Sequence, residues 1–195
     1  MLRTALCAVA LVAVGCAGEA RDQQVDSGTI ADTRAVRAAD SLPAADTTPT
    51  ATALVRDARG RDLGTITLRE TAAGLSVSGS LRGLPPLGHG VHLHTVGKCE
   101  PPFQSAGGHW NPTNRQHGML NPQGPHLGDL PNVVAGADST ATMEGTTPGG
   151  TLSRTNSLLD GDGAALVIHA RPDDYRTDPS GNSGDPIACG VVSSK

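Results

Sequence analysis

Seven histidines fall between residues 89 and 169, and their spacing is what suggests chemistry. His92 and His94 stand two apart in the run Gly88-His89-Gly90-Val91-His92-Leu93-His94. In a strand, residues i and i+2 face the same way, so both rings can reach one ion. His109, His117, His126 and Asp129 lie along one loop-like stretch, each near a glycine or proline that lets the chain turn back, so four more donors can converge. His169 closes an apolar run; it shares a face with Val167, while Leu166 and Ile168 point into the core. A single histidine is ordinarily an exposed or hydrogen-bonded side chain. Six of them with an aspartate, in a chain with 1 Trp, 1 Tyr and 1 Phe, are poorly explained by packing. Imidazole suits both zinc and copper, so a metal centre is the expectation. His89 stands apart, because its spacing from His92 turns it differently; a structural hydrogen bond near the site is expected of it, not ligation.

The elements that must position these residues are short. ATALVRD, GTITLRE and GLSVSGSL alternate apolar and polar residues and are closed by turn residues, as consecutive antiparallel strands would be. GHGVHLHTV follows Pro85-Pro86, and strand-like runs return at NVVAGA, TATMEG, AALVIHA and ACGVV. Between them, residues 97–131 are too polar for core and too long for an idle connection, which points to a functional loop; a second loop precedes the last strand. With 25 Gly and 14 Pro, the composition favours many short elements over long helices. The fold class expected is all-β: a Greek-key β-sandwich or flattened barrel of about eight antiparallel strands with two long functional loops.

The 195 residues suit one catalytic-size domain plus some non-globular sequence. A net charge of -4 without a Lys/Arg cluster gives no footprint for nucleic acid, and no apolar run is long enough to span a bilayer. Residues 1–16 carry one positive charge at Arg3 and a short apolar stretch, which reads as an export signal. The signal ends Ala13-Val14-Gly15-Cys16, which resembles a bacterial lipobox and makes Cys16 a candidate for lipidation and membrane attachment. The location expected is therefore the periplasm or cell envelope. Residues 17–50 read as a flexible linker, and 51–195 as the folded domain.

Over nearly all of 51–195 the sequence resembles the copper,zinc superoxide dismutases of bacterial, exported type. The resemblance rests on His89-Gly90-Val91-His92-Leu93-His94, Ser105-Ala106-Gly107-Gly108-His109-Trp110-Asn111-Pro112, His117-Gly118, His126-Leu127-Gly128-Asp129-Leu130-Pro131-Asn132, Gly181-Asn182 and Ala188-Cys189-Gly190-Val191. It implies copper held by His92, His94, His109 and His169, and zinc held by His109, His117, His126 and Asp129, with His109 as the shared bridge. It implies that superoxide, the small-molecule substrate, is dismuted to oxygen and hydrogen peroxide by redox cycling of copper, with His109 carrying a proton. Asp173 matches the family's carboxylate that hydrogen-bonds a ligand of each metal. Cys99 and Cys189 match its intrasubunit disulfide, which in an exported protein would close a loop of 89 intervening residues. The resemblance implies a monomer or a homodimer.

One departure stands out. Most members carry an arginine three residues before the last cysteine, over the copper; this chain has Asp185-Pro186-Ile187-Ala188-Cys189. Arg171 and Arg176 in the second loop could partly restore positive potential, against Asp185. An alternative reading follows: an exported copper- and zinc-binding protein of the same fold with weak or no dismutase activity.

Overall fold

A computed structural model describes residues 47–195. The expected signal, Cys16 and most of the linker lie outside the described residues. Nine strands follow in chain order: β1 Thr50–Asp57, β2 Asp62–Thr71, β3 Gly74–Arg82, β4 Gly88–His89, β5 Val91–His94, β6 Val133–Val134, β7 Thr140–Pro148, β8 Ala164–His169 and β9 Pro186–Ser194. The only helical element among the described residues is a 3-10 turn, Gln104–Ala106.

Seven strands form one antiparallel sheet in the order β5-β8-β9-β1-β2-β3-β7, and β4 pairs with β6 in a separate ribbon. The first three strands are a meander, and β9 returns to lie beside β1 as in a Greek key. Alternation explains which face is covered. Ala51, Ala53 and Val55 of β1, Ile66 and Leu68 of β2, and Leu166 and Ile168 of β8 point into one apolar cluster. That cluster also contains Val91 and Leu93 of β5 and Ala141 and Met143 of β7, the two edges of the sheet, so the sheet curls around a single core. The all-β, barrel-like expectation stands. The strand count is nine because the GHGVHLHTV run breaks at Gly90, whose N–H donates to the Arg171 carbonyl instead of to a strand.

The opposite face of β5 and β8 matters for function. His92 pairs with Val167, and His94 with Ala165. Ala165 and Val167 belong to a second small cluster with Phe103, Ala106 and Cys189, beneath the long loop. A Cys99–Cys189 disulfide ties that loop to β9 across 90 positions. Closing so long a loop stabilises the fold by about 4 to 5 kcal/mol on the chain-entropy model.

Candidate metal centre

β5 is an edge strand of the seven-stranded sheet, and the long loop folds back along its free edge. Leu93 N–H donates to Gly128 O, Trp110 N–H to Leu93 O and Thr95 N–H to Gly108 O. These bonds set His94 opposite His109 and His92 opposite Asp129. The loop-borne donors are thereby laid against the strand-borne pair. Glycine permits the tight passage at two points. A Cβ at Gly118 (φ 106°) would collide with the Tyr175 carbonyl, and one at Gly181 (φ 63°) with the Asp173 carboxylate.

Two groups of donors result. His92, His94, His109 and His169 each offer a donor atom within 4.8 Å of the others. In three of these rings one nitrogen is engaged and the other is buried with no partner. His92 Nε2 donates to Asp173 Oδ2 (2.8 Å), His94 Nδ1 to Gly107 O (2.8 Å) and His169 Nδ1 to Gly184 O (2.9 Å). The orphaned atoms are His92 Nδ1, His94 Nε2 and His169 Nε2. Each hydrogen bond holds the ring proton on one nitrogen and leaves the lone pair on the other. Three buried lone pairs converging without partners call for an ion. Burial, with the repulsion of neighbouring rings, pushes His92 and His94 down to about 3, and lowers His169 and His109 as well. At neutral pH this group is uncharged and ready to ligate.

The second group is built around Asp129. Its Oδ1 lies 3.0 Å from His109 Nδ1, 3.0 Å from His117 Nδ1 and 3.3 Å from His126 Nδ1. His126 Nδ1 is 3.3 Å from His109 Nδ1. A tetrahedral ion with bonds of about 2.0 Å has ligand-to-ligand edges of about 3.3 Å, so these separations fit a zinc-sized ion among three histidines and a carboxylate. By proximity alone His92 also falls beside His109, His117 and Asp129. Its Nε2 is engaged by Asp173 and its Nδ1 is the orphan of the first group, so His126 completes the second set. Asp129 Oδ2 accepts from the Gly118 and His126 N–H groups, which fixes the carboxylate. Burial would raise its pKa, but the hydrogen bonds from three histidines outweigh it and hold it well below the usual range. For His117, burial is likewise overcome by its bonds to Asp129 and Asp173, and its pKa is raised to about 9.

Asp173 joins the two groups, accepting from His92 Nε2 at Oδ2 and facing His117 Nε2 at Oδ1 (3.0 Å). His89 faces carbonyls with both ring nitrogens, His169 O at 2.7 Å and Pro85 O at 2.9 Å, and so has no lone pair aimed at either group. Four positioning features had no role in the sequence reading. The Gly107 and Gly184 carbonyls orient His94 and His169; Asn132 clamps Asp173 through its N–H (2.8 Å) and carbonyl (2.9 Å); the Tyr175 hydroxyl accepts from Asn132 N–H (2.7 Å). Asn132 lies in a quoted motif, which was a usable signal. A backbone carbonyl leaves none.

Comparison with known proteins shows the family of the chain. A family model described as copper/zinc superoxide dismutase matches residues 63–192. The chain is 44% identical over 137 residues to superoxide dismutase [Cu-Zn] 2 of Aquifex aeolicus, covering 68% of this chain and 80% of that protein. It is 42% identical over 147 residues to superoxide dismutase [Cu-Zn] of Caulobacter vibrioides, covering 73% and 84%. Among solved structures, a SOD-like protein from Bacillus subtilis superposes with a TM-score of 0.68 at 40% identity, covering 72% of this chain and 96% of that one.

Proposed function

The chain belongs to the copper/zinc superoxide dismutase family, and from that premise we propose that it converts two superoxide ions and two protons into oxygen and hydrogen peroxide at the paired histidine centre. The observation that carries this reading is the set of three buried, partnerless ring nitrogens at His92, His94 and His169, each held in a ligating tautomer from behind. Copper held by His92, His94, His109 and His169 supplies one-electron redox chemistry, and zinc held by His109, His117, His126 and Asp129 supplies fixed positive charge. His109 serves both sets, because its Nδ1 faces Asp129 and His126 and its Nε2 is left for the first group. When not engaged as a ligand, that Nε2 would hold a proton for transfer to the peroxide product. Asp173 keeps His92 and His117 in register, so the two sets cannot drift independently.

Pro186 begins β9 opposite His169, in the position where the family resemblance calls for arginine. It brings no cation to attract an anionic substrate. We expect Pro186→Arg to raise kcat/KM by about tenfold, the low end of the gain from electrostatic steering. An unchanged or lower rate would count against this role for position 186.

Pro186 also favours a second reading, a copper- and zinc-binding protein of this fold with weak dismutase activity. Full metal loading with negligible superoxide consumption would select it. The Cys99–Cys189 disulfide suits an oxidising compartment and supports export to the cell envelope. Lipid attachment at Cys16 is tested by fractionation: Cys16→Ser should move the protein from membrane to soluble fractions, and an unmoved protein would refute the anchor.

A further inference from the structure

Asp173 is not the last carboxylate that reaches from the second loop to the zinc set. Asp178, exposed at the surface, accepts the His117 backbone N–H at Oδ1 (2.6 Å). The same oxygen stands 3.9 Å from His126 Nε2, while the other nitrogen of that ring faces Asp129 and His109. One carboxylate oxygen thus holds the backbone of one zinc-set histidine and stands behind the ring of another.

The chain around His117 shows why the contact matters. Its carbonyl accepts from Asn121 Nδ2 (3.0 Å), and the next amide, Gly118 N–H, donates to Asp129 Oδ2 (2.8 Å). Consecutive amides are therefore held by carboxylates from two different loops, in a stretch without a strand or helix. Hydrogen bonds from an amide to an ionised carboxylate are among the stronger kinds. Asp178 is also aimed. Behind it the Asp174 carboxylate accepts from Arg176 N–H (2.9 Å), Thr177 N–H (2.8 Å), the Thr177 hydroxyl (2.7 Å) and the Asn182 side-chain amide (2.9 Å). Gly181 N–H closes the same turn on Thr177 O (2.6 Å). A negative charge behind His126 Nε2 favours the proton on that nitrogen and leaves the Nδ1 lone pair for an ion.

We propose that Asp178 is a positioning residue of the zinc set, fixing His117 through its backbone N–H and His126 through its ring. The inference rests on the assignment of His109, His117, His126 and Asp129 to zinc and does not need the dismutase activity.

The test uses full-length protein stripped of metal and reloaded. Zinc affinity is read by chelator competition, and the shape of the site by the visible bands of cobalt(II) in place of zinc. Copper affinity, measured with zinc saturating, reports whether the strand-borne histidines remain folded. Asp178→Ala should weaken zinc about tenfold, the low end for loss of a group that orients a metal ligand, and should shift the cobalt bands with copper affinity unchanged. Asp178→Asn keeps an oxygen for the His117 N–H and should recover part of the loss. Asp138→Ala removes the same charge from an exposed turn, where the carboxylate bonds to Thr140, and should change none of the three readouts. Unchanged zinc affinity and cobalt bands in Asp178→Ala would overturn the proposal, as would equal losses of zinc and copper, equal losses in the alanine and asparagine variants, or an equal change in Asp138→Ala. If His126→Ala abolishes zinc binding while Asp178→Ala does not weaken it, the positioning role fails and the zinc assignment stands. If His126→Ala leaves zinc affinity intact, both fail.

Discussion

The two halves of the centre are built by opposite strategies. His92, His94 and His169 are carried by strands, sit over a packed sheet and owe their readiness to burial, which keeps them neutral. His117, His126 and Asp129 are carried by a loop of few regular elements and owe their arrangement to charge, one carboxylate gathering three imidazoles. The strand half is preorganised by the fold. The loop half is organised by its own ionic contacts and by the disulfide that pins the loop to β9, so an ion there contributes to folding as well as to chemistry. His109 and Asp173 are where the two halves meet.

The sharpest way to break this contrast is to remove one donor from each half. Asp129→Ala should abolish zinc binding and lower Tm by about 10 °C, given a bound-ion contribution of roughly 4 kcal/mol and roughly 2 to 4 °C per kcal/mol for a domain of this size. His94→Ala should remove copper and dismutase activity while leaving zinc content and Tm within about 3 °C of the parent. Metal analysis and calorimetry on both variants decide the matter. Equal losses of Tm would mean that the strand half is no more preformed than the loop half.

A finer test uses protons. In the metal-free protein His117 titrates near 9, so below that pH it carries a proton that zinc must displace. His92 and His94 titrate near 3 and are already bare at neutral pH. Zinc binding to the copper-free protein at pH 7.5 should therefore release about one proton from the loop half, a release that fades as pH rises above 9, whereas copper binding to the zinc-free protein should release close to none; whichever ion binds second should release one more, from His109 as it becomes the bridge. Titration calorimetry in buffers of different ionisation enthalpy measures both numbers, and equal release would erase the distinction.

What could be read from sequence follows the same division. The pairing of His92 with His94 on one face, and of His169 with Val167 opposite the core-facing Leu166 and Ile168, follows from strand periodicity alone. Convergence of His117, His126 and Asp129 has no such period behind it; in the sequence it rested on nearby glycines and on family resemblance. The break at Gly90, and the carbonyls of Gly107 and Gly184 that set two ring tautomers, were not readable, because any residue can supply a backbone carbonyl and only the folded register decides which one does. Asp178 reads in the sequence as one more loop acid, because only the folded path of the second loop brings it to the His117 amide.

The central claim is that both halves are filled and that copper in the strand half makes the protein a dismutase. The direct measurement is copper and zinc content of the purified protein together with superoxide consumption before copper removal, after it, and after copper alone is restored. The account predicts one copper and one zinc per chain, with activity that disappears with copper and returns with it. Full loading of both metals with negligible superoxide consumption, in the parent and in Pro186→Arg alike, would contradict it.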